Sequence, residues 1–222
     1  MRIYEIIVFI ISGYVQDSFY KELETEYKKT IESIEKYGGF YIGRYETGNL
    51  SSNTPVVRRM NTNIDCQNWY IMYAKMQNIS TNSNIQTNMI LGSLWDETLA
   101  WILKTGDKTN IEIGVDSTNW GNFYKGQFKY YNNAGTLAFT KYDNYSTKLP
   151  TGSSERNKAN NIYDLAGNVI DFTLENFQSN TRAFRGGVYS RTGQPSIAGA
   201  RSPSSVTGIV SIAGYRAYFY IK

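Results

Sequence analysis

Between Thr109 and Glu155 the chain shows no helical period; Trp120, Phe123, Tyr124, Phe128, Tyr130 and Tyr131 are instead interleaved with Gly and Asn. So long a stretch without regular elements is awkward in a compact domain unless its own side chains, an ion or a function hold it. An all-helical fold is not expected. The 222 residues, 41% apolar and 15% aromatic, suffice for one large or two small domains. Nineteen Tyr and abundant Asn and Gly favour short strands between polar loops.

Regular elements flank this stretch. From Asp17 to Lys36, Leu23, Tyr27, Ile31 and Ile34 recur at spacings of four and three, with Glu22, Glu24 and Glu26 early and Lys28 and Lys29 later; this predicts an amphipathic helix. Gly38-Gly39 ends it, and Phe40 to Tyr45 reads as an aromatic strand. A second helix is expected from Asp65, its cap, to about Met76, with Trp69, Met72, Tyr73 and Met76 on one face. Asn78 to Asn88 reads as a loop. Ser93 is expected to cap a third helix that turns Leu94, Trp95, Leu99, Ile102 and Leu103 inward and closes at Gly106. Gly214 to Lys222 should be a strand. No repeat, low-complexity tract or linker divides the chain.

Several chemistries are excluded or left open by composition. No histidine is present, so there is no Ser-His-Asp triad and no imidazole, the side chain that usually ligates transition metals. Cys66, the single cysteine, forbids an internal disulfide or redox pair; it reads as a small buried hydrophobe, with a reactive thiol as the alternative. The net charge of +4 is scattered, with doublets only at Lys28-Lys29 and Arg58-Arg59, so nucleic acid is not the expected partner. Ile3 to Ile11 is apolar apart from Glu5, too short to span a bilayer. Residues 1–16 are therefore read as an N-terminal strand or a leader, with export left open, and 17–222 as one domain.

Asn161-Ile162-Tyr163-Asp164-Leu165-Ala166-Gly167-Asn168-Val169, then Arg185-Gly186-Gly187 and Gly214-Tyr215-Arg216, resemble the signature of the formylglycine-generating enzyme (sulfatase-modifying factor) family. Glu35 to Gly48, Leu94-Trp95-Asp96 and Gly106-Asp107-Lys108-Thr109 are similar to a phage and prophage subgroup of it. The resemblance spans about Tyr27 to Lys222. It implies an α+β domain, the family's variant of the C-type lectin fold, with first and last strands side by side and long loops carrying the ligand surface.

Family members that oxidise a target cysteine bind copper through a cysteine pair in the segment after Arg-Gly-Gly. Here Val188 to Arg201 contains no cysteine, so the soft ligands of copper(I) are missing and no copper is expected. The iron-dependent relatives use histidines, also absent. The resemblance thus implies a non-catalytic user of the fold. It also implies a structural calcium ion on the side chains of Asp164 and Asp171 and the carbonyls of Gly167 and Val169, hard oxygen ligands suited to that ion. Asp171 is one methylene shorter than the family's glutamate, and Ile170 and Phe172 replace its tryptophans. The alternative is that Asp164 makes an Asx turn and Asp171 points to solvent. Arg185 and Arg216 are expected to bond carbonyls or to pair with Asp164 or Asp171.

Tyr189 to Ala213 lacks Lys, Glu, Asp, Asn, Trp and Met, an abrupt shift from the upstream composition. In relatives diversified by retroelement mutagenesis, randomised asparagine codons yield the residue types found here, Gln194 alone excepted; an ordinary exposed loop of small residues is the other reading. Candidate contacts are Tyr189, Arg191, Gln194, Ile197, Arg201, Val206, Ile209 and Val210, since Arg and Tyr anchor such surfaces. The expected partner is a cell-surface protein or glycan, and the expected setting a virion or cell surface, with the cytoplasm left open. Two alternatives are an unusual oxidase acting on protein cysteine and a virion or tail subunit, for which a homo-oligomer such as a trimer would count.

Overall fold

The computed structural model describes residues 20–49, 54–62, 67–132, 134, 136, 138–142, 145–178 and 180–222. The N-terminal strand or leader, Asp65 and Cys66 lie outside them. Helix α1, Tyr20–Tyr37, buries the edge formed by Leu23, Tyr27 and Ile34. It ends where Gly38 takes φ +82° and its N–H bonds to the Ile34 carbonyl at 2.8 Å, the left-handed stop that glycine allows.

Among the described residues the first and last strands lie together. Strand β1, Tyr41–Ile42, pairs antiparallel with β13, Ala217–Ile221, and β13 pairs antiparallel with β4, Ile85–Met89. A second sheet has the order β11-β10-β9-β12: Arg201–Ser205, Thr181–Arg185, Ile170–Gln178 and Ala213–Tyr215. Two-stranded ladders join β2 (Gly48–Asn49) to β3 (Pro55–Val56), β5 (Phe128–Tyr131) to β6 (Ala138–Lys141), and β7 (Lys158–Ala159) to β8 (Ile162–Tyr163). The remaining helices are α2, Trp69–Met76, α3, Gly92–Thr105, and α4, Asn110–Gly114. This is a mixed α+β architecture with much irregular chain. None of the described helices is long and apolar enough to cross a membrane.

Indole rings centre the core, and each of their N–H groups reaches a carbonyl. Trp69 stacks on Tyr73 with centroids 5.0 Å apart and donates to Thr173 O at 2.9 Å; Trp95 donates to Ala198 O and Trp120 to Glu112 O. None of these three buried indoles leaves an orphaned N–H. Tyrosines fasten α1 to β13 and to α2. Glu26 accepts from Tyr218 and Tyr220 at 3.0 and 3.2 Å, Glu22 accepts from Tyr73 at 2.7 Å, and the Tyr218 hydroxyl also meets Thr30 at 2.8 Å.

The structure corrects five local expectations. Asn68, whose side chain accepts from the Ile71 N–H, caps α2. Ser93 lies inside α3, which starts at Gly92 behind Leu91 with no side-chain cap. The stretch from Thr109 contains α4, closed at its start by a capping box in which Thr109 and Glu112 exchange bonds, a local T-x-x-E signal that hydrophobic periodicity does not report. Polar Ile85–Met89 is a strand because β13 supplies its ladder, tertiary pairing overriding propensity. The expected C-terminal strand divides at Arg216, whose side chain is wholly buried.

Glu26→Ala removes the acceptor of the Tyr220 hydroxyl and one of the two partners of the Tyr218 hydroxyl and should lower stability to urea unfolding by about 1–3 kcal/mol, with hydrogen exchange quickening across α1; an unchanged midpoint would show that the Glu26 bonds contribute nothing to holding the helix.

Candidate functional site

Asn168 is wholly buried, at φ +61°, a left-handed conformation asparagine accepts more readily than most residues. Its carboxamide donates to Glu46 Oε2 at 2.6 Å and Leu149 O at 3.1 Å. It accepts from Asn122 Nδ2 and Leu149 N, both at 2.9 Å. All four bonds available to the group are made. Its own N–H bonds to Asn122 O and its carbonyl accepts from Tyr189 N at 2.8 Å. One side chain and its peptide thus tie together the segments around 46, 122, 149 and 189.

Beside it, Gly167 takes φ +74°, and a Cβ there would collide with the Asn122 carbonyl. Gly187, at φ +75°, meets the Ser196 carbonyl in the same way. Main-chain bonds pin the following loop: Ser117 N to Gly193 O at 3.1 Å, Tyr124 N to Arg191 O at 2.8 Å and Gly199 N to Ile113 O at 3.1 Å. Residues 189–200 therefore rest on the 113–124 segment through backbone groups.

Under this layer lies a buried charge cluster of Glu46, Asp164, Asp171 and Arg216. Asp164, at φ +58°, accepts from Gly152 N at 2.8 Å and Thr151 Oγ1 at 3.1 Å. Asp171 is 1% exposed and so does not point to solvent. Arg216 Nε stands 3.5 Å from Asp171 Oδ2, in ionic contact, while neither Asp171 oxygen has a hydrogen-bond partner. The guanidinium also donates to Gly43 O at 2.9 Å and Tyr163 O at 2.7 Å. Burial pushes the Asp171 carboxyl up to about 7 and the Asp164 carboxyl up to about 6, against the opposing pull of Arg216. Glu46 is raised well above the usual carboxylate range, by burial and then by repulsion from both aspartates.

The four residues expected to hold calcium fall on one turn and the start of β9. The N–H groups of Gly167 and Val169 go to Gly186 O and Glu46 Oε1, and the cation beside the two carboxylates is Arg216. No group of three or more His, Cys, Asp or Glu among the described residues is arranged to share a metal ion. The bare Asp171 oxygens are nonetheless hard donors of the right chemistry. Arg216 fulfils its expectation twice over, bonding carbonyls and facing Asp171. Arg185, also buried, pairs instead with Asp96 of α3.

The candidate contacts divide by exposure. Arg191, Gln194, Arg201 and Ile209 are exposed, Ile209 by 73%, and Tyr189 and Ile197 are half-buried. Arg201 is paired with Glu175 and lies 5.2 Å from the Phe177 ring. One candidate is corrected: Val206 is wholly buried in the core, its backbone following directly on β11. Val210 is half-buried, packed on that core. Sequence reasoning missed Asn168 and Glu46 as positioning residues. Asn168 stood inside a quoted motif, but nothing local marked its partners.

A scan against protein families and a search of curated proteins each return no match. Among solved structures, the chain is similar to PvdO from Pseudomonas aeruginosa, with TM-score 0.53, 13% identity, and 82% of this chain and 80% of that one covered. It is also similar to Treponema denticola variable protein 1, with TM-score 0.38, 16% identity, and 80% of this chain and 62% of that one covered. The first likeness is one of fold alone, and it fits the fold suggested by the sequence motifs.

The raised carboxyls give stability a sign with pH. The folded cluster holds protons that the unfolded chain releases between about pH 4 and 7, so its contribution is full below that window and is lost as pH rises through it. In EDTA, Tm should fall from about pH 5 to pH 8, and Asp171→Asn should flatten the slope; a Tm that rises across this range in the parent protein would refute the assignment.

Proposed function

We propose that this chain is a non-catalytic ligand-binding domain with a formylglycine-generating-enzyme-like variant of the C-type lectin fold, recognising a cell-surface protein or glycan through loops 189–200 and the exposed tip at Ile209. One observation carries this reading. The segment after Arg185-Gly186-Gly187 has no cysteine or histidine, yet its backbone is pinned to rigid neighbours while Arg191 and Gln194 face solvent. A positioned, chemically unreactive surface suits binding. The fold likeness to PvdO supports the architecture, and the ordered motifs support the family. A phage or prophage origin, display on a virion or cell, and retroelement diversification of 189–213 belong to the same proposal and rest on the sequence.

A structural calcium ion, where bound, would be held by Asp164, Gly167, Val169 and Asp171 and would offset the surplus of carboxylates over Arg216. It competes with the protons on those carboxyls and with the guanidinium already among them. Thermal unfolding in calcium chloride against EDTA reads the outcome: a rise in Tm with calcium is expected from an ion bound only to the folded chain, and an unchanged Tm would leave Arg216 as the cluster's sole counter-charge.

The enzymatic alternative is tested by incubating the protein with copper and a cysteine-bearing sulfatase-type peptide under air. Mass spectrometry should show the cysteine unchanged; robust conversion would overturn the binding reading.

A further inference from the structure

Building on the recognition reading, we infer that the face carrying Arg191 and Lys125 binds an anionic glycan, with its carboxylate or phosphate groups on the two cations and its sugar rings against Tyr124 and Tyr189. The bond from Tyr124 N to Arg191 O sets these two residues side by side, and Tyr189 is fixed two residues away by its N–H to Asn168 O. Lys125 follows Tyr124 at φ +68°. Arg191 and Lys125 are exposed, both tyrosines are half-buried, and neither cation pairs with a carboxylate among the described residues.

Among the described residues the exposed charges of the neighbouring loops share one sign. The segments 117–142, 145–154 and 187–200 carry Lys125, Lys129, Lys148 and Arg191, together with Lys141 buried on the Phe123 and Gly126 carbonyls, and no Asp or Glu; Asp143, between the first two, lies outside the described residues. The bordering carboxylates are committed elsewhere. Asp116 accepts from Thr118 N at 2.9 Å, Glu112 closes its capping box, and Glu155 pairs with Arg59 and Lys158. An unpaired guanidinium beside an ammonium suits carboxylate or phosphate oxygens, with charge-assisted bonds. Half-exposed tyrosine faces give the C–H face of a sugar ring a dispersion surface and keep a hydroxyl for its polar rim.

Other ligands fit less well. A duplex needs a longer cationic track than two adjacent side chains. A stable protein interface of about 800 Å² per partner needs central apolar anchors, whereas Ser190, Thr192, Gly193, Gln194 and Pro195 surround Arg191. A neutral glycan would desolvate both cations and return no charge to them.

The test measures binding of the full chain to immobilised polygalacturonate, phosphorylated dextran, neutral dextran and duplex DNA. Binding to either anionic glycan over dextran is expected, and the arm that binds identifies carboxylate or phosphate. Arg191→Gln or Lys125→Gln should each weaken it about tenfold, and the double variant should abolish it with unchanged circular dichroism and Tm. Equal binding to dextran or DNA, no binding to either anionic polymer, or a double variant that binds normally would overturn the assignment. Failure of the charge assignment is distinguished from failure of the recognition reading by Tyr189→Ala combined with Ile209→Ser, assayed on intact cells to which the parent binds. Loss of cell binding there, with the charge variants silent, means that recognition stands with another ligand class; no effect from any loop variant removes both.

Discussion

The carboxamide of Asn168 is the constraint on which the loop architecture depends. A buried amide must satisfy two donors and two acceptor sites or bear their desolvation cost, and here the four partners come from Glu46, Asn122 and Leu149. Those residues are far apart in sequence, and no strand ladder joins them. Low local dielectric strengthens each bond and penalises the loss of any one, so an irregular region acquires a definite geometry without regular secondary structure. Glu46 belongs to the same network, since its carboxylate also accepts from Val169 N at 3.2 Å.

That network extends into the charge cluster. Three buried carboxyl groups face one guanidinium, and full ionisation would leave uncompensated negative charge where solvent is excluded. Retained protons relieve the excess, as the upward shifts of Asp164, Asp171 and Glu46 indicate. Arg216 is the mechanical centre: it interrupts the C-terminal strand between β12 and β13 and reaches the carbonyls of Gly43 and Tyr163. The two ends of the domain are thereby bonded through one side chain as well as through the β1 and β13 ladder.

How much of this was legible in the sequence depends on the range of the interaction. Helix α1, its stop at Gly38 and the inward face of α3 follow from spacing, because periodic burial and glycine conformation are local properties. The motif residues located the buried turn, since Asp164, Gly167 and Asn168 all need positive φ. Strand β4 was illegible because Gln86, Thr87 and Asn88 carry no alternation; they are ordered by β13, far along the chain. Val206 was read as a surface residue because composition reports a segment's exposure but not the direction of each side chain. The partners of Asn168 could not be read at all, because nothing near position 168 encodes contacts with positions 46, 122 and 149.

The division between frame and surface bears on what such a domain can do. Loop 189–200 is held by Tyr189 N, Gly193 O, Arg191 O and Gly199 N, main-chain groups that substitution leaves in place except by proline at a donor position or by any side chain at Gly193, whose Cβ would collide with Thr118 N. Gly187, Ser196 and Ala198 fill the tight positions beneath it, while Arg191 and Gln194 project freely. Edge strand β11 adds a related safeguard. Val206 N bonds inward to Asn180 O, so by alternation Pro203 occupies an outward position, where it withholds the N–H that a foreign strand would need. A surface fixed by main-chain bonds and closed to strand pairing can change its side chains, and hence its ligand, at small cost to the fold; a reactive centre, whose chemistry resides in particular side chains, has no such freedom.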